Sequence, residues 1–130
     1  MTKRELVQLR SIRQEIEELK GLQKEMINLL GESGRQMWGK ERAGEAERLQ
    51  ALGAQLDSLN DRIDARRHSL AKAYRHTMDW LDAIPDSELR RIYMLRYMMG
   101  KSWQQVANAL GNTASSDAVQ IRAKRFLQKN

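Results

Sequence analysis

Two long stretches of the chain repeat apolar residues at alternating intervals of three and four. In residues 3–30 the residues at this spacing are Leu9, Ile12, Ile16, Leu19, Gln23, Met26 and Leu30, of which Gln23 is the one polar interruption. In residues 45–80 it places Leu49, Leu52, Leu56, Leu59, Ile63, Arg66, Leu70 and Ala73. This heptad spacing predicts two long α-helices that each bury one narrow face.

The segment between these stretches, residues 31–44, contains Gly31, Gly34, Gly39 and Gly44. So many glycines in a short segment predict a loop. The helices have similar lengths, so they can fold back on each other antiparallel or pair equally well with a second chain. Because narrow heptad faces bury little area alone, we expect a homo-oligomer joined through this helical arm, residues 1–84.

The pattern of apolar and capping residues in 85–130 predicts three shorter helices. Pro85 ends the arm, and Asp86 or Ser87 can cap the next helix. The apolar stripe of that helix contains Leu89, Ile92, Leu95 or Arg96, and Met99. In KSWQQVANALG, Ser102 and Gln105 have the spacing of a capping box, and Gly111 suits a helix end. The inward positions of the last two helices are Trp103, Val106, Ala107, Leu110, Val119, Ala123 and Phe126 or Leu127.

A short helix, a tight turn and a basic helix in succession are typical of a helix-turn-helix. The small side chain of Ala107 would let the two helices cross closely. We therefore predict an all-α chain with two domains, the arm at 1–84 and a helix-turn-helix domain at 85–130.

The charge is concentrated in that second domain. Residues 85–130 contain eight Lys and Arg against three Asp and Glu, a balance of +5 in a chain of net charge +6. Such a balance favours a polyanionic partner, which here indicates double-stranded DNA. The candidate DNA-binding residues lie at the start of the short helix and on the outer or flanking faces of the last one: Ser102, Gln104, Ser116, Asp117, Gln120, Ile121, Lys124 and Arg125.

Each type of candidate residue has a different expected role. Gln120 can bond a base edge and Ile121 can contact a thymine methyl group, whereas Lys124 and Arg125 can neutralise phosphates. Ser102 and Gln104 could hold a phosphate at the start of the short helix. A structural helical hairpin would show the same apolar stripe, and the charge favours the DNA interpretation.

The segment LRRIYMLRYMMGKSWQQVANALG resembles region four of bacterial sigma factors. It is more similar to the region-four-like transcriptional regulators of phages and prophages, including late-gene activators. The matching residues are Leu95, Arg96, Tyr97, Gly100, Ser102, Trp103, Val106 and Ala107. The resemblance implies a helix-turn-helix regulator, with RNA polymerase as a possible partner, in the cytoplasm of a bacterial host. The segment GNTASSDAV is longer than the usual turn, which leaves the register of the last helix open by one or two residues.

Other chemistry has little support in the sequence. The chain has no Cys, and its two histidines, His68 and His76, are too far apart in one helix to share a metal. No set of nucleophile, base and orienting residue is evident, so we expect no enzyme activity, cofactor or metal. No apolar run is long enough for a membrane span, and we expect a soluble protein without a membrane partner.

Two alternatives to the regulator stay open. A small terminase subunit also joins a helix-turn-helix to an oligomerising helical region, and would recognise phage packaging DNA from within a ring. A coiled-coil adaptor would instead use its C-terminal helices to bind RNA polymerase or another protein.

Overall fold

The computed structural model describes residues 1–37, 44–111 and 115–129, with side chains described except in 33–37. These residues form five α-helices and no strand, which confirms the predicted all-α fold. The helices are α1 (Lys3–Met37), α2 (Glu45–Asp82), α3 (Ser87–Tyr93), α4 (Trp103–Leu110) and α5 (Ser116–Lys129). A single π-helical turn, Met94–Met98, continues α3.

The chain divides into two compact units that differ from the division predicted at residue 84. One unit consists of Met1–Gln14 together with Ser69–Asn130, and the other is Glu15–His68. We call them the composite unit and the arm unit. The difference arises because the first turns of α1 and the last turns of α2 bury apolar residues such as Leu6, Leu9 and Leu81 in the same core as α3–α5.

Within the arm unit, α1 and α2 pair antiparallel. Glu15 forms an ion pair with Arg66, with 2.6 Å between Oε1 and Nε. Further along α1, the Gln23 side-chain amide donates a hydrogen bond of 2.7 Å to Asn60 Oδ1. Residues further along α1 therefore contact residues earlier in α2, which is the antiparallel arrangement. The two heptad faces meet within one chain.

The predicted heptad positions of the arm unit are buried or half-buried with one exception. Ile16, Leu59 and Ile63 are its most deeply buried side chains. Arg66 is exposed and bonds Glu15 at the edge of the helix pair. A guanidinium at this position is accommodated because it finds a carboxylate and water rather than the apolar interior.

The loop predicted at 31–44 is wrong for residues 31–37, which are helical. Helix α1 continues through Gly31 and Gly34 to Met37, and α2 begins at Glu45. Glycine lowers helix stability by about 1 kcal/mol relative to alanine but keeps its backbone donor, so it does not by itself end a helix. Residues 38–43 of the predicted loop lie outside the described residues.

Aromatic residues organise the core of the composite unit. Tyr93 is fully buried, and its ring meets Trp80 edge-on with 5.0 Å between centroids. Tyr97 stacks on Tyr93 at 6.2 Å, and Phe126 of α5 completes the group at 6.0 Å from Tyr93. These contacts join α2, α3 and α5 around one aromatic cluster.

The π-helical turn alters which residues after Tyr93 face the core. Its wider backbone ring is closed by a hydrogen bond of 2.9 Å from the Met99 amide to the Met94 carbonyl. Tyr97 is buried, while Met99 is 44% exposed. The prediction that Met99 belongs to the buried stripe is therefore wrong, because regular helical spacing does not hold across the π turn.

The turn that ends this segment is held by Arg13 of α1. Its Nη1 donates 3.0 Å hydrogen bonds to the Tyr74 hydroxyl and to the Met98 carbonyl. Gly100 adopts a left-handed φ of +73°, and a Cβ there would lie 3.3 Å from the Arg13 side chain. Glycine at this position allows the chain to turn closely around Arg13 and enter α4.

Candidate nucleic-acid interface

Helix α4 begins with the capping box that the sequence predicts. The Ser102 hydroxyl accepts a 3.1 Å hydrogen bond from the Gln105 amide, and the Gln105 side chain accepts one of 2.9 Å from the Ser102 amide. Gly111 ends the helix with a φ of +69°. These two caps define α4 as a separate short helix with its own orientation.

Ser102 and Gln104, both candidate DNA-binding residues, are exposed at the start of α4. The Ser102 hydroxyl is occupied in capping, but a hydroxyl has a second lone pair and a donor proton for a further partner. Gln104 donates a hydrogen bond of 3.1 Å to Asn108 one turn later. The side chain of Gln104 is therefore held along the exposed face of α4.

Helix α5 begins at Ser116, and residues 112–114, which precede it, lie outside the described residues. Ser115 caps the helix, since its hydroxyl accepts a 3.1 Å hydrogen bond from the Ala118 amide. Ser116 is the first helical residue and is half-buried. Asp117 follows in the first turn, where its negative charge interacts favourably with the helix dipole.

The buried face of α5 follows the predicted stripe. Val119 and Ala123 are 3% and 2% exposed, and Phe126 and Leu127 are half-buried against the same core. Ala107 of α4 is also buried. The prediction that Ala107 faces inward is confirmed.

The exposed side of α5 contains the remaining candidate residues: Asp117, Gln120, Ile121, Lys124 and Arg125. They do not all lie on one flank. Gln120 and Lys124 border a cavity shared with Trp103 of α4, whereas Ile121 and Arg125 border a second cavity shared with Leu89 of α3. The helix thus presents a ridge of polar and basic side chains with a hollow on each side.

Two contacts fix the position of α5 on α3, and neither is predicted from the sequence. The Tyr93 hydroxyl donates a hydrogen bond of 2.6 Å to the Ala123 carbonyl. Burial raises the pKa of Tyr93 well above its ordinary value of 10, with the nearby Tyr97 adding to the shift, so the donor proton is retained at neutral pH. The second contact is ionic.

Arg122 forms that ionic contact by bonding Asp86 and Glu88 with separate guanidinium nitrogens. Burial raises the pKa of Asp86, but hydrogen bonds from the Leu89 and Glu88 amides, with Arg122, outweigh it and leave the pKa below 3.8. Asp86 therefore caps α3 and also holds α5 in place. The acidic DSE segment at the start of α3 was the available signal for this pair, but nothing in the sequence singles out Arg122 among the basic residues of α5.

Four of the eight Lys and Arg residues in 85–130 donate hydrogen bonds to acceptors within the protein. Arg90 donates to the Ile84 carbonyl, Arg91 to the Ala109 carbonyl, and Arg96 to the Lys101 carbonyl, while Arg122 bonds the two carboxylates. The others are Lys101, Lys124, Arg125 and Lys129. Three of these four are on α5, so most of the basic side chains in 85–130 that bond no acceptor among the described residues belong to this helix.

Within the described ranges, no group of three or more His, Cys, Asp or Glu side chains is placed to hold a metal ion. No described helix is both long and apolar enough to cross a membrane. Comparison of the chain with models of protein families, with curated proteins and with solved structures gave no significant match.

Proposed function

We propose that this chain is a sequence-specific, double-stranded DNA-binding transcriptional regulator of phage or prophage origin that reads DNA with α5. It acts in the cytoplasm of a bacterial host and catalyses no reaction. The observation that carries the proposal is the two-sided character of α5. Val119 and Ala123 anchor one side, while Gln120, Lys124 and Arg125 face solvent.

The dimensions of α4 and α5 support this proposal. Helix α5 has 14 residues and is about 21 Å long at the α-helical rise. An α-helix with its side chains is about 10–12 Å in diameter, which suits a major groove about 12 Å wide. Gln120, Ile121, Lys124 and Arg125 occupy two successive turns, so a base-reading side chain and phosphate-binding side chains lie close together. The exposed start of α4 provides further donors beside them.

Assembly through the arm unit is the second part of the proposal. On the described part of α1 that belongs to the arm unit, three large apolar side chains outside the heptad positions are about half exposed: Leu22 at 46%, Leu29 at 49% and Ile27 at 52%. Pairing of α1 with α2 within the chain leaves this apolar surface uncovered, and a second copy would remove it from water. Two copies would present two α5 helices to a pair of half-sites.

The test is fluorescence anisotropy on a duplex obtained by selecting bound genomic fragments, with a scrambled duplex of equal length alongside. Wild type should prefer the selected duplex. Gln120→Ala should cost roughly 1–3 kcal/mol on the selected duplex and little on the scrambled one, as expected for a residue that reads a base edge. Equal affinity of wild type for both duplexes would contradict sequence-specific recognition.

The copy number measured by sedimentation equilibrium separates the alternatives. A dimer fits the regulator, and a ring of eight or more copies would instead favour a small terminase subunit. A folded protein with no affinity for either duplex would favour an adaptor for RNA polymerase or another protein.

A further inference from the structure

A cavity of about 440 Å³ lies within the composite unit, between the first turns of α1 and the middle of α5. Four basic side chains from three segments border it: Lys3 and Arg10 of α1, Arg96 of the π-helical turn, and Lys124 of α5. The other lining residues are polar or apolar, and none is Asp or Glu. The cavity therefore has positive walls without an acidic lining residue.

Each of the two arginines that border the cavity has a buried N–H group without a hydrogen-bond partner. Arg96 stacks on Trp103, 4.7 Å from the ring centroid, and donates one hydrogen bond to the Lys101 carbonyl. Its Nε and that of Arg10 are buried without hydrogen-bond partners. Burial and the charge of Arg10 together lower the pKa of Arg96, which reflects two like charges in proximity.

No described carboxylate forms an ion pair with any of the four cations that border this cavity. Elsewhere in the composite unit the structure does pair arginine with acid, as at Arg122 with Asp86 and Glu88. A concave surface with several unpaired cations attracts anions, because the surrounding protein focuses the positive potential. Guanidinium groups are particularly suited to phosphate, whose oxygens accept two hydrogen bonds at once.

We propose that this cavity binds a backbone phosphate of duplex DNA, so that Lys3 and Arg10 of α1 extend the interface formed by α5. The inference rests on the proposed function. DNA is favoured as the source of the phosphate because Gln120 and Lys124 border the cavity and also lie on the exposed side of α5. A duplex seated on α5 brings its phosphates to the mouth of the cavity.

The test compares full-length wild type with Arg10→Ala, Lys3→Ala and the control Arg4→Ala in anisotropy titrations at several salt concentrations. Arg4 is an exposed cation on the same helix but lies outside this cavity. Each cavity variant should weaken binding to selected and scrambled duplexes alike and reduce the slope of log K against log salt by about 0.9. Arg4→Ala should keep the wild-type slope. Lys3 is exposed, so its variant gives an answer even if Arg10→Ala does not fold.

A second titration, with pyrophosphate at constant ionic strength and thermal unfolding as the readout, tests a free phosphorylated ligand as the source. If wild type binds DNA and both cavity variants bind it equally well, the inference is overturned and the proposed function stands. If pyrophosphate also stabilises wild type but not the Arg10 variant, the cavity binds a free phosphate instead. Failure of wild type to bind any duplex would overturn the proposed function and this inference together.

Discussion

The hydrogen bond from Tyr93 to α5 gives a specific prediction about stability. Tyr93→Phe keeps the buried ring, with its contacts to Trp80 and Tyr97, and removes only the hydroxyl that donates 2.6 Å to the Ala123 carbonyl. Because Tyr93 is fully buried, water cannot replace the lost donor. We expect a loss of about 1–1.5 kcal/mol, the upper part of the usual range for one hydrogen bond.

Tyr97→Phe is the matched control. Tyr97 lies one turn along, is 5% exposed, and its hydroxyl has no hydrogen-bond partner among the described residues. Removing that hydroxyl should change the free energy of unfolding by less than about 0.5 kcal/mol. Urea unfolding followed by circular dichroism at 222 nm measures both variants under the same conditions. Equal stabilities of the two variants would refute the assignment of this hydrogen bond as the link between α3 and α5.

Two further predictions concern other contacts of the fold. The lowered pKa of Asp86 contributes stability that is present above its unfolded value near 3.8 and lost as the pH falls through the folded value. Asp86→Asn should therefore be less stable at pH 7 and lose less stability on acidification, as measured by urea midpoints between pH 2 and 7; an unchanged pH dependence would contradict this. In the arm unit, Leu59→Asp should place an unpaired charge at a site 5% exposed and cost more than 3 kcal/mol. Leu22→Asp, at a site 46% exposed, is its control in thermal unfolding, and similar melting of the two would show that the heptad face is misassigned.

Local sequence signals predicted much of the fold because their physical cause is local. The heptad spacing identified the faces of α1 and α2, and the capping box and Gly111 defined α4 from a few neighbouring residues. The stripe of Val119 and Ala123 oriented α5, which in turn indicated that Gln120, Lys124 and Arg125 face solvent.

Features that depend on distant contacts were not predictable in this way. The π-helical turn is not marked by glycine or proline, and it buries Tyr97 while exposing Met99. Arg122 is one of several basic residues in α5, and only the folded chain shows that Asp86 and Glu88 bind it. The cavity at Arg10 likewise requires α1 to lie beside α5, although 110 positions separate Arg10 from Gln120 in the chain.

Whether α5 carries the DNA contacts is decided by the salt dependence of DNA binding by the Lys124→Ala/Arg125→Ala double variant. Its control is Lys72→Ala/Arg75→Ala, which removes two exposed positive charges from α2. If Lys124 and Arg125 each bind a phosphate, the α5 variant should bind every duplex more weakly and reduce the slope of log K against log salt by about 1.8. The affinity and slope of the α2 variant should stay close to those of wild type. If a correctly folded α5 variant keeps the wild-type affinity and slope, α5 does not contact the DNA.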